Sequence, residues 1–354
     1  MLATLEIEKT TVQQSRVTDV DFTNLKFGKE YSDHMFIADY SDGEWGKFRI
    51  EPYDLLHLSP SNTVLHYAQS VFEGMKAYKN PEGDVLLFRP FDNFLRLNIS
   101  AKRMCIPELP EELFIGGLTE LLRLDKDWVP DLPGTSLYVR PFIFATDEYI
   151  GIRPSDTYKF MIISSPAGGY YSEPLRVKIE TEYTRACEGG TGFAKAAGNY
   201  AAALYPAKLA QEQGYHQLLW TDARDHRYIE EAGTMNVIFK IDGKLITAPT
   251  NNTILKGLTR DSVLTLARDW GLPVEERLVE VQEVIQAARE GRLEEAFGAG
   301  TAATVAPIDT IGFDGEDYHL PSVETWEFCN KAHQELDDIK TGKAEDKHGW
   351  IYRV

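Results

Sequence analysis

The stretch GGTGFAKAAGNYAAAL, residues 189–204, sets one lysine, Lys195, at the end of a glycine-rich loop and ahead of an alanine-rich run. Such a lysine has three chemistries open to it: cradling a phosphate, acting as a covalent amine, or standing solvated like most loop lysines. A P-loop requires GxxxxGK[ST], with a hydroxyl beside the lysine for magnesium. Here Ala196 and Ala197 follow Lys195, and the dinucleotide fingerprint GxGxxG is missing from the loop, so the nucleotide reading is weak.

The amine reading needs a lysine whose pKa is lowered by desolvation or by a conjugated carbonyl partner. Were that partner pyridoxal phosphate, the site would also need phosphate donors, an acid for the ring nitrogen and a hydroxyl for the phenolic oxygen. KGLTRDSV, residues 256–263, opens a helix whose first N–H groups suit an anion. Glu231 in YIEEAGTMN is expected in a turn before a strand, and Tyr200 stands on the helix that the lysine loop opens. Each has a plainer reading. Glu230 and Glu231 read as a solvated turn pair, Arg96 as an exposed ion pair with Asp92 four residues before it, and Tyr200 as packing. The residues alone leave a covalent-amine enzyme as one open option.

The elements that must position these residues read as mixed α and β. HMFIADYSDGEWGKFRIEP is a hairpin turning at Asp42-Gly43, and GMKAYKNPEGDVLLFRP a second one around residues 80–83. After Pro90 a helix is expected with Phe91, Phe94, Leu95 and Ile99 on one face. TSLYVRPFIFAT, YKFMIISSPAGG, LRVKIETEYTR and HQLLWTD are strand-like, and MNVIFKIDGKLITAP is a hairpin around Asp242-Gly243. Pro206 predicts a kink or break near Tyr205. Val263, Leu264, Ala267 and Trp270 form the stripe of a helix ending at Gly271; VEVQEVIQAAREG is another helix, and SVETWEFCNKAHQELDDI closes the chain as a third. EEAFGAGTAATVAPI is an apolar strand feeding a Gly/Thr turn. SPAGGYYSEP breaks the pattern, which sets a first domain at 1–169, a linker at 170–175 and a second domain at 176–354.

The chain has 354 residues, 43% hydrophobic and 26% charged, a globular balance long enough for two domains. A net charge of −18 argues against nucleic acid or an anionic membrane surface as partner, since both need clustered Lys and Arg. Cys105, Cys187 and Cys329 form no CxxC and no Cys/His cluster, so no metal site is expected. The opening MLATLEIEKTTVQQSRV has no secretory pattern, and no apolar run approaches the ~20 residues of a membrane helix, which sets a cytoplasmic expectation.

Seven motifs occur in order: HYAQSVFEGMKAY, FRPFDNFLRLNISAKRM, SLYVRPFIFATDEYIGI, GGTGFAKAAGNYAAAL, EEAGTMNV, LKGLTRDSV and GAGTAATVAPI. The set resembles the branched-chain amino acid aminotransferases, from near Phe27 almost to the C-terminus. These belong to the class IV aminotransferases and to pyridoxal-phosphate fold type IV, shared with D-amino acid aminotransferase and aminodeoxychorismate lyase. The resemblance implies an α/β (mixed α+β) fold with a smaller N-terminal domain, a larger cofactor-binding one and the cofactor between them. It implies that Lys195 is the Schiff-base lysine, with Tyr200 on the phenolic oxygen and Glu231 on the ring nitrogen. Arg96, the backbone of Leu258 and Thr259, and Thr301 would bind phosphate; Thr234 and Ala302 would hold the substrate α-carboxylate. Phe27, Phe72, Tyr138, Arg140 and Tyr170 would line the side-chain pocket, while Tyr67 and the Ile150–Ile152 loop would come from the neighbour in a homodimer. The activity implied is amino transfer between Leu, Ile or Val and 2-oxoglutarate. A D-amino acid aminotransferase or a lyase of the same fold is the alternative, and a non-catalytic cofactor-holding protein a remote one. Animal members carry a CxxC after the GTA turn, where this chain has Ala303 and Ala306.

Overall fold

The computed structural model describes residues 5–169, 173–302 and 304–354. The chain forms two compact units, one of residues 1–170, 194–198 and 337–354, the other of 171–193 and 199–336.

The first unit holds β1 (Glu8–Lys9), β2 (His34–Ser41), β3 (Glu44–Pro52), β4 (Ser70–Phe72), β5 (Met75–Lys79), β6 (Val85–Phe88), β7 (Ser136–Ala145) and β8 (Tyr158–Ala167). They run in the order β1-β3-β2-β8-β7-β5-β6, with Ile351–Arg353 outside β6 and β4 paired to β7. Asp42 and Gly43 both take positive φ, 55° and 87°, the conformation a two-residue hairpin needs to match strand twist. In the β5–β6 loop, the Asp84 N–H donates to Asn80 Oδ1 at 2.7 Å. Of the helices α1 (Thr63–Tyr67), α2 (Pro90–Arg103) and α3 (Glu111–Leu124), the last two share one core with the sheet. Leu97, Phe94, Phe114 and Leu118 pack there with Phe36 and Phe160, each such side chain contributing roughly 1.5–3 kcal/mol.

Two expectations fail here. Of the expected apolar face of α2, only Phe94 is buried; Phe91, Leu95 and Ile99 are exposed, and the inward face carries Asn93, Arg96 and Ser100 beside Leu97 and Ala101. The second domain was expected to run to 354 and to be the larger. Instead Ile351–Arg353 pairs antiparallel with β6, so residues 337–354 belong to the first unit, which is the larger.

The second unit begins with β9 (Leu175–Ile179); α4 (Ala197–Ala202) and α5 (Leu204–Glu212) follow the lysine loop. The break falls at Ala203 rather than near Tyr205, because Pro206 lies in the first turn of α5, where its missing N–H costs no helical bond. Then come β10 (Gln217–Thr221), β11 (Tyr228–Ala232), β12 (Met235–Ile241), β13 (Lys244–Thr247), α6 (Leu258–Asp269), β14 (Val274–Glu276), β15 (Val279–Glu280) and α7 (Val281–Arg289). β16 (Leu293–Gly300), β17 (Thr304–Phe313), β18 (Glu316–His319) and α8 (Glu327–Lys340) complete the series. Pairing of β11 with β12 closes β12-β16-β17-β9-β10-β11 into a ring, which removes the sheet edge along that path. Its core gathers Val177, Leu219, Ile229, Val237, Phe239 and Ile308, together with Val284 and Ile285 of α7. Among the described residues no helix is long and apolar enough to cross a membrane.

Two adjacent glycines of α3 give a test of this packing. A Cβ on Gly117 would lie 2.7 Å from the buried Phe36 ring, whereas on Gly116 it would meet nothing nearer than Leu5 at 3.7 Å. Gly116→Ala should stabilise by up to about 1 kcal/mol through helix propensity. For Gly117→Ala that gain is outweighed by overpacking of about 1–3 kcal/mol, giving a net loss. Urea denaturation reads both signs, and a stabilising Gly117→Ala would contradict the packing.

Candidate functional site

In the first unit the site grows from the Phe72-Glu73-Gly74 step between β4 and β5. The Glu73 side chain has no exposure, and Arg96 on α2 pairs with it at both oxygens, Nε to Oε1 at 2.7 Å and Nη2 to Oε2 at 2.8 Å. Asn93, one turn before Arg96, adds an Nδ2 bond to Oε2 at 2.7 Å. Burial pushes the Glu73 carboxyl up, but the charge and bonds of Arg96, the charge of Lys195 and the Asn93 bond outweigh it and hold it below the usual carboxylate range. This explains the polar inner face of α2. Asn93, Arg96 and Ser100 fall on one helical stripe, and all three turn inward to bind Glu73 or the lysine segment. Asp92, the expected partner of Arg96, pairs instead with Arg89 at 2.7 Å.

Lys195 is half-buried, and its main chain is fixed at both ends. Its N–H donates to Ser100 Oγ at 2.9 Å, its carbonyl accepts from the Phe72 N–H at 3.0 Å, and Ala196 bridges Val71. The Lys195 Nζ lies 4.9 Å from the centre of the Phe72 ring, and the Arg140 guanidinium 4.5 Å from it. Arg140 Nη2 donates to the Tyr138 hydroxyl at 3.0 Å, and Phe27 meets the Tyr138 ring edge-on at 4.9 Å. Gly74 is required here, because a Cβ on it would stand 2.2 Å from that hydroxyl. The fold thus brings Phe27, Phe72, Arg96, Tyr138, Arg140 and Lys195 together. Tyr67 bonds through its hydroxyl to the Ile150 carbonyl, and with Leu65, Tyr149, Ile150 and Ile152 it is part of the exposed apolar surface. Tyr170 lies outside the described residues, as does Ala303.

In the second unit Glu231 sits within β11, buried, not in a turn, and Glu230 beside it is buried as well. The turn is the two-residue loop Gly233-Thr234 that follows, which sets Glu231 directly across from Asn236. Glu231 Oε1 accepts from Asn236 Nδ2 and from the Leu255 N–H, each at 3.0 Å, and Oε2 pairs with Arg185 Nη2 at 2.9 Å. The chain then turns from Leu255 into α6, capped by Gly257. A Cβ at Gly257 would lie 1.9 Å from Asn236 Oδ1, so glycine is what lets the helix start lie so close to Glu231's neighbour. Asn236 also pairs with Ala299, so the 301–302 turn after β16 and the Thr234 turn before β12 lie at the same end of the sheet. Glu231, Thr234, Leu258, Thr259, Thr301 and Ala302 belong to this unit, as does Tyr200 on α4, which is half-buried. In the glycine loop before Lys195, Gly192 serves packing: a Cβ on it would lie 2.5 Å from the Thr253 carbonyl oxygen.

The profile of the family described as amino-transferase class IV matches residues 70–311. The chain belongs to the class IV aminotransferases. It is 45% identical to branched-chain-amino-acid aminotransferase 2 of Bacillus subtilis over 99% of this chain and 97% of that one. To the branched-chain-amino-acid aminotransferase of Mycobacterium tuberculosis it is 43% identical, over 93% of this chain and 92% of the other. Among solved structures, the branched-chain aminotransferase of Escherichia coli is similar with TM-score 0.72 and 26% identity, covering 90% of this chain and 98% of that one. The Thermobaculum terrenum enzyme in its PLP form gives TM-score 0.75 and 25% identity, with 92% and 99% covered. The fold is accordingly the two-domain, mixed α+β fold type IV of these aminotransferases.

Among the residues that hold these candidates in their own units, sequence reasoning missed Glu73, Asn93 and Ser100 in the first and Arg185 and Asn236 in the second. The spacing of Asn93, Arg96 and Ser100 on one helical stripe was a usable signal; nothing local marks Arg185 or Glu73. The Glu73–Arg96 pair generates a prediction. In cofactor-free protein Glu73→Ala should cost about 3–5 kcal/mol, because it strands a buried guanidinium, and Arg96→Met in that background should restore part of it. Because Glu73's pKa is depressed by folding, its contribution is present above the unfolded-state pKa and fades as pH falls through the lowered one. Strictly additive losses in a double-mutant cycle would show that the pair is not coupled.

Proposed function

We propose that the chain is a branched-chain L-amino acid transaminase that uses pyridoxal 5'-phosphate to exchange amino groups between Leu, Ile or Val and 2-oxoglutarate. The observation that carries this is Lys195, fixed through its own main chain beside the buried Glu73–Arg96 pair and the Phe72 ring. The names of the relatives at 43–45% identity support the substrate class.

The residues present fit the cofactor. α6 starts at Gly257, and a helix N-terminus suits an anion, so the backbone of Leu258 and Thr259 would hold the phosphate, with Thr301 and, from the first unit, the buried Arg96 proposed as further donors. Glu231 is held by three donors, one of them a guanidinium, which favours its ionised form and suits a protonated ring nitrogen. Tyr200 would donate a hydrogen bond from its hydroxyl to the phenolic oxygen, and Lys195 would supply the amine for covalent attachment. When bound, the cofactor supplies an electron sink for the pair left at the substrate Cα. With the cofactor held there, the Lys195 amine would be the group placed to take the substrate Cα proton as general base and to hand that same proton on to the cofactor as general acid. The backbone at Thr234 and Ala302 holds the α-carboxylate. Over the two halves of the exchange the donor would give up its amino group and take the oxygen of one water to leave as its 2-oxo acid, and 2-oxoglutarate would take that amino group, release one water and leave as glutamate.

Phe27, Phe72 and Tyr138 give an aliphatic side chain an apolar, aromatic surface, and Tyr170 is proposed to join them. Arg140, stacked on Phe72 and bonded to Tyr138, can meet the distal carboxylate of glutamate. A second copy of the chain covers the exposed patch of Tyr67, Ile150 and Ile152 and completes its partner's site, making the active form a homodimer. Three unpaired cysteines suit a cytoplasmic setting.

Borohydride reduction of the yellow holoenzyme followed by peptide mapping should place the cofactor on Lys195, and Lys195→Ala should abolish turnover while cofactor still binds. A label on Lys208 or Lys256 would refute the assignment. Arg140→Met should spare the leucine half-reaction and slow the glutamate one by about 10–100-fold, the worth of a charged hydrogen bond. Equal losses for both substrates would make Arg140 a pocket-holding residue only.

A further inference from the structure

Glu231 is expected to keep a proton on the cofactor's ring nitrogen, yet a buried carboxylate ordinarily competes for that proton. Burial in a low dielectric raises the proton affinity of a carboxylate. Something must hold it as a weak base. Arg185 is a charged group that touches it, Nη2 to Oε2 at 2.9 Å, with side-chain exposures of 9% and 6%. Both partners are therefore shielded from water, where a charge pair acts most strongly.

Arg185 is anchored by more than this pair. The same Nη2 donates to the Gly192 carbonyl at 3.3 Å and to the Thr253 carbonyl, while Nε is buried without a hydrogen-bond partner among the described residues. One guanidinium thus joins the loop that leads to Lys195, the turn that leads into α6, and the strand that carries Glu231. Gly192 must lack a side chain for the first two to meet. The adjacent carboxylate, Glu230, feels the Arg185 charge as well, and its Oε1 accepts the Thr253 hydroxyl at 2.5 Å. Burial raises the Glu230 carboxyl above its ordinary range, and the Thr253 bond and the Arg185 charge offset this only in part. The partners of Glu231 within this unit thus include one cation, Arg185, and two neutral donors, Asn236 and the Leu255 N–H.

The geometry points to Arg185 as a positioning residue that keeps Glu231 a weakly basic anion, so that the shared proton stays on the ring nitrogen and not on Glu231 Oε. The inference rests on the transaminase reading of the site. Without Arg185 the proton would pass to the carboxylate, the ring would become less electron-poor, and proton removal at the substrate Cα would slow. Substrate binding should change little, because the polar contacts of Arg185 among the described residues are to Glu231, Gly192 and Thr253 and to none of the residues proposed to hold the amino acid.

The test uses holoenzyme and compares wild type, Arg185→Met, Arg185→Lys, Glu231→Gln and Arg185→Met/Glu231→Gln. Arg185→Met should lower kcat by on the order of 10–100-fold, the scale of a charge-assisted hydrogen bond, with KM for leucine within about 3-fold of wild type. The visible absorption band of the bound cofactor should shift in Arg185→Met as it does in Glu231→Gln. Arg185→Lys, which keeps the cation, should recover most of kcat. In the Glu231→Gln background, Arg185→Met should add little further loss. A multiplicative loss in the double variant, an unshifted band, or a lysine variant no better than methionine would overturn the inference, as would a drop in melting temperature with kcat per folded site unchanged. Wild-type protein that fails to convert leucine would instead bring down the transaminase reading, leaving the two failures distinct.

Discussion

A carboxylate with no exposure to water is stable only if its charge is met, and in the first unit that requirement falls on Glu73. Arg96 meets it with two parallel hydrogen bonds, the planar fork of a guanidinium matched to a carboxylate. The rest of that half of the site follows. α2 must turn its Asn93, Arg96 and Ser100 stripe inward, which leaves Phe91, Leu95 and Ile99 at the surface. Ser100 in turn receives the Lys195 N–H, so the lysine is positioned by the same helix that neutralises Glu73. Gly74, next in sequence, clears the space that the Tyr138 hydroxyl occupies, and Tyr138 holds Arg140.

The second unit solves the same problem with other parts. Glu231 is buried on a strand of a closed sheet, and its lone pairs are taken by Arg185, Asn236 and the Leu255 N–H. Asn236 serves twice, since it also packs against Gly257 and so sets where α6 begins. The register of β12 with β16 and the α6 turn then carry Thr234, Thr301, Leu258 and Thr259. In both units a glycine at a point of close approach lets a polar contact form. These glycines act through missing volume, as Gly74, Gly192 and Gly257 show, more than through unusual φ.

Much of this was legible in the sequence where the signal is local. Asp42-Gly43 and Asp242-Gly243 mark hairpins because few residues tolerate the backbone they require, and the Val263, Leu264, Ala267 stripe marks α6 because packing enforces its period. Expectations failed where a non-local contact overrode the local one. Apolar periodicity misplaced the buried face of α2, since Glu73 recruits polar residues to it from another part of the chain. A pair of adjacent glutamates reads as solvated, and only pairing of β11 with both β10 and β12 buries Glu230 and Glu231. The return of the C-terminal strand to β6 has no local signature either. The candidate residues themselves came from ordered motifs across most of the chain, whereas Glu73 and Arg185, which brace them, emerge only when side chains are placed in space.

Glu73, Glu231 and Lys195 are proposed to serve a single amino-transfer cycle. Leucine labelled with 15N, given to yellow holoenzyme without any oxo acid, tests it most directly. The account predicts that the cofactor colour is lost in one turnover with release of one equivalent of 2-oxo acid. Adding 2-oxoglutarate should then restore the colour and place the 15N in glutamate. Colour that survives leucine, or 15N released as free ammonia in place of glutamate, would contradict it.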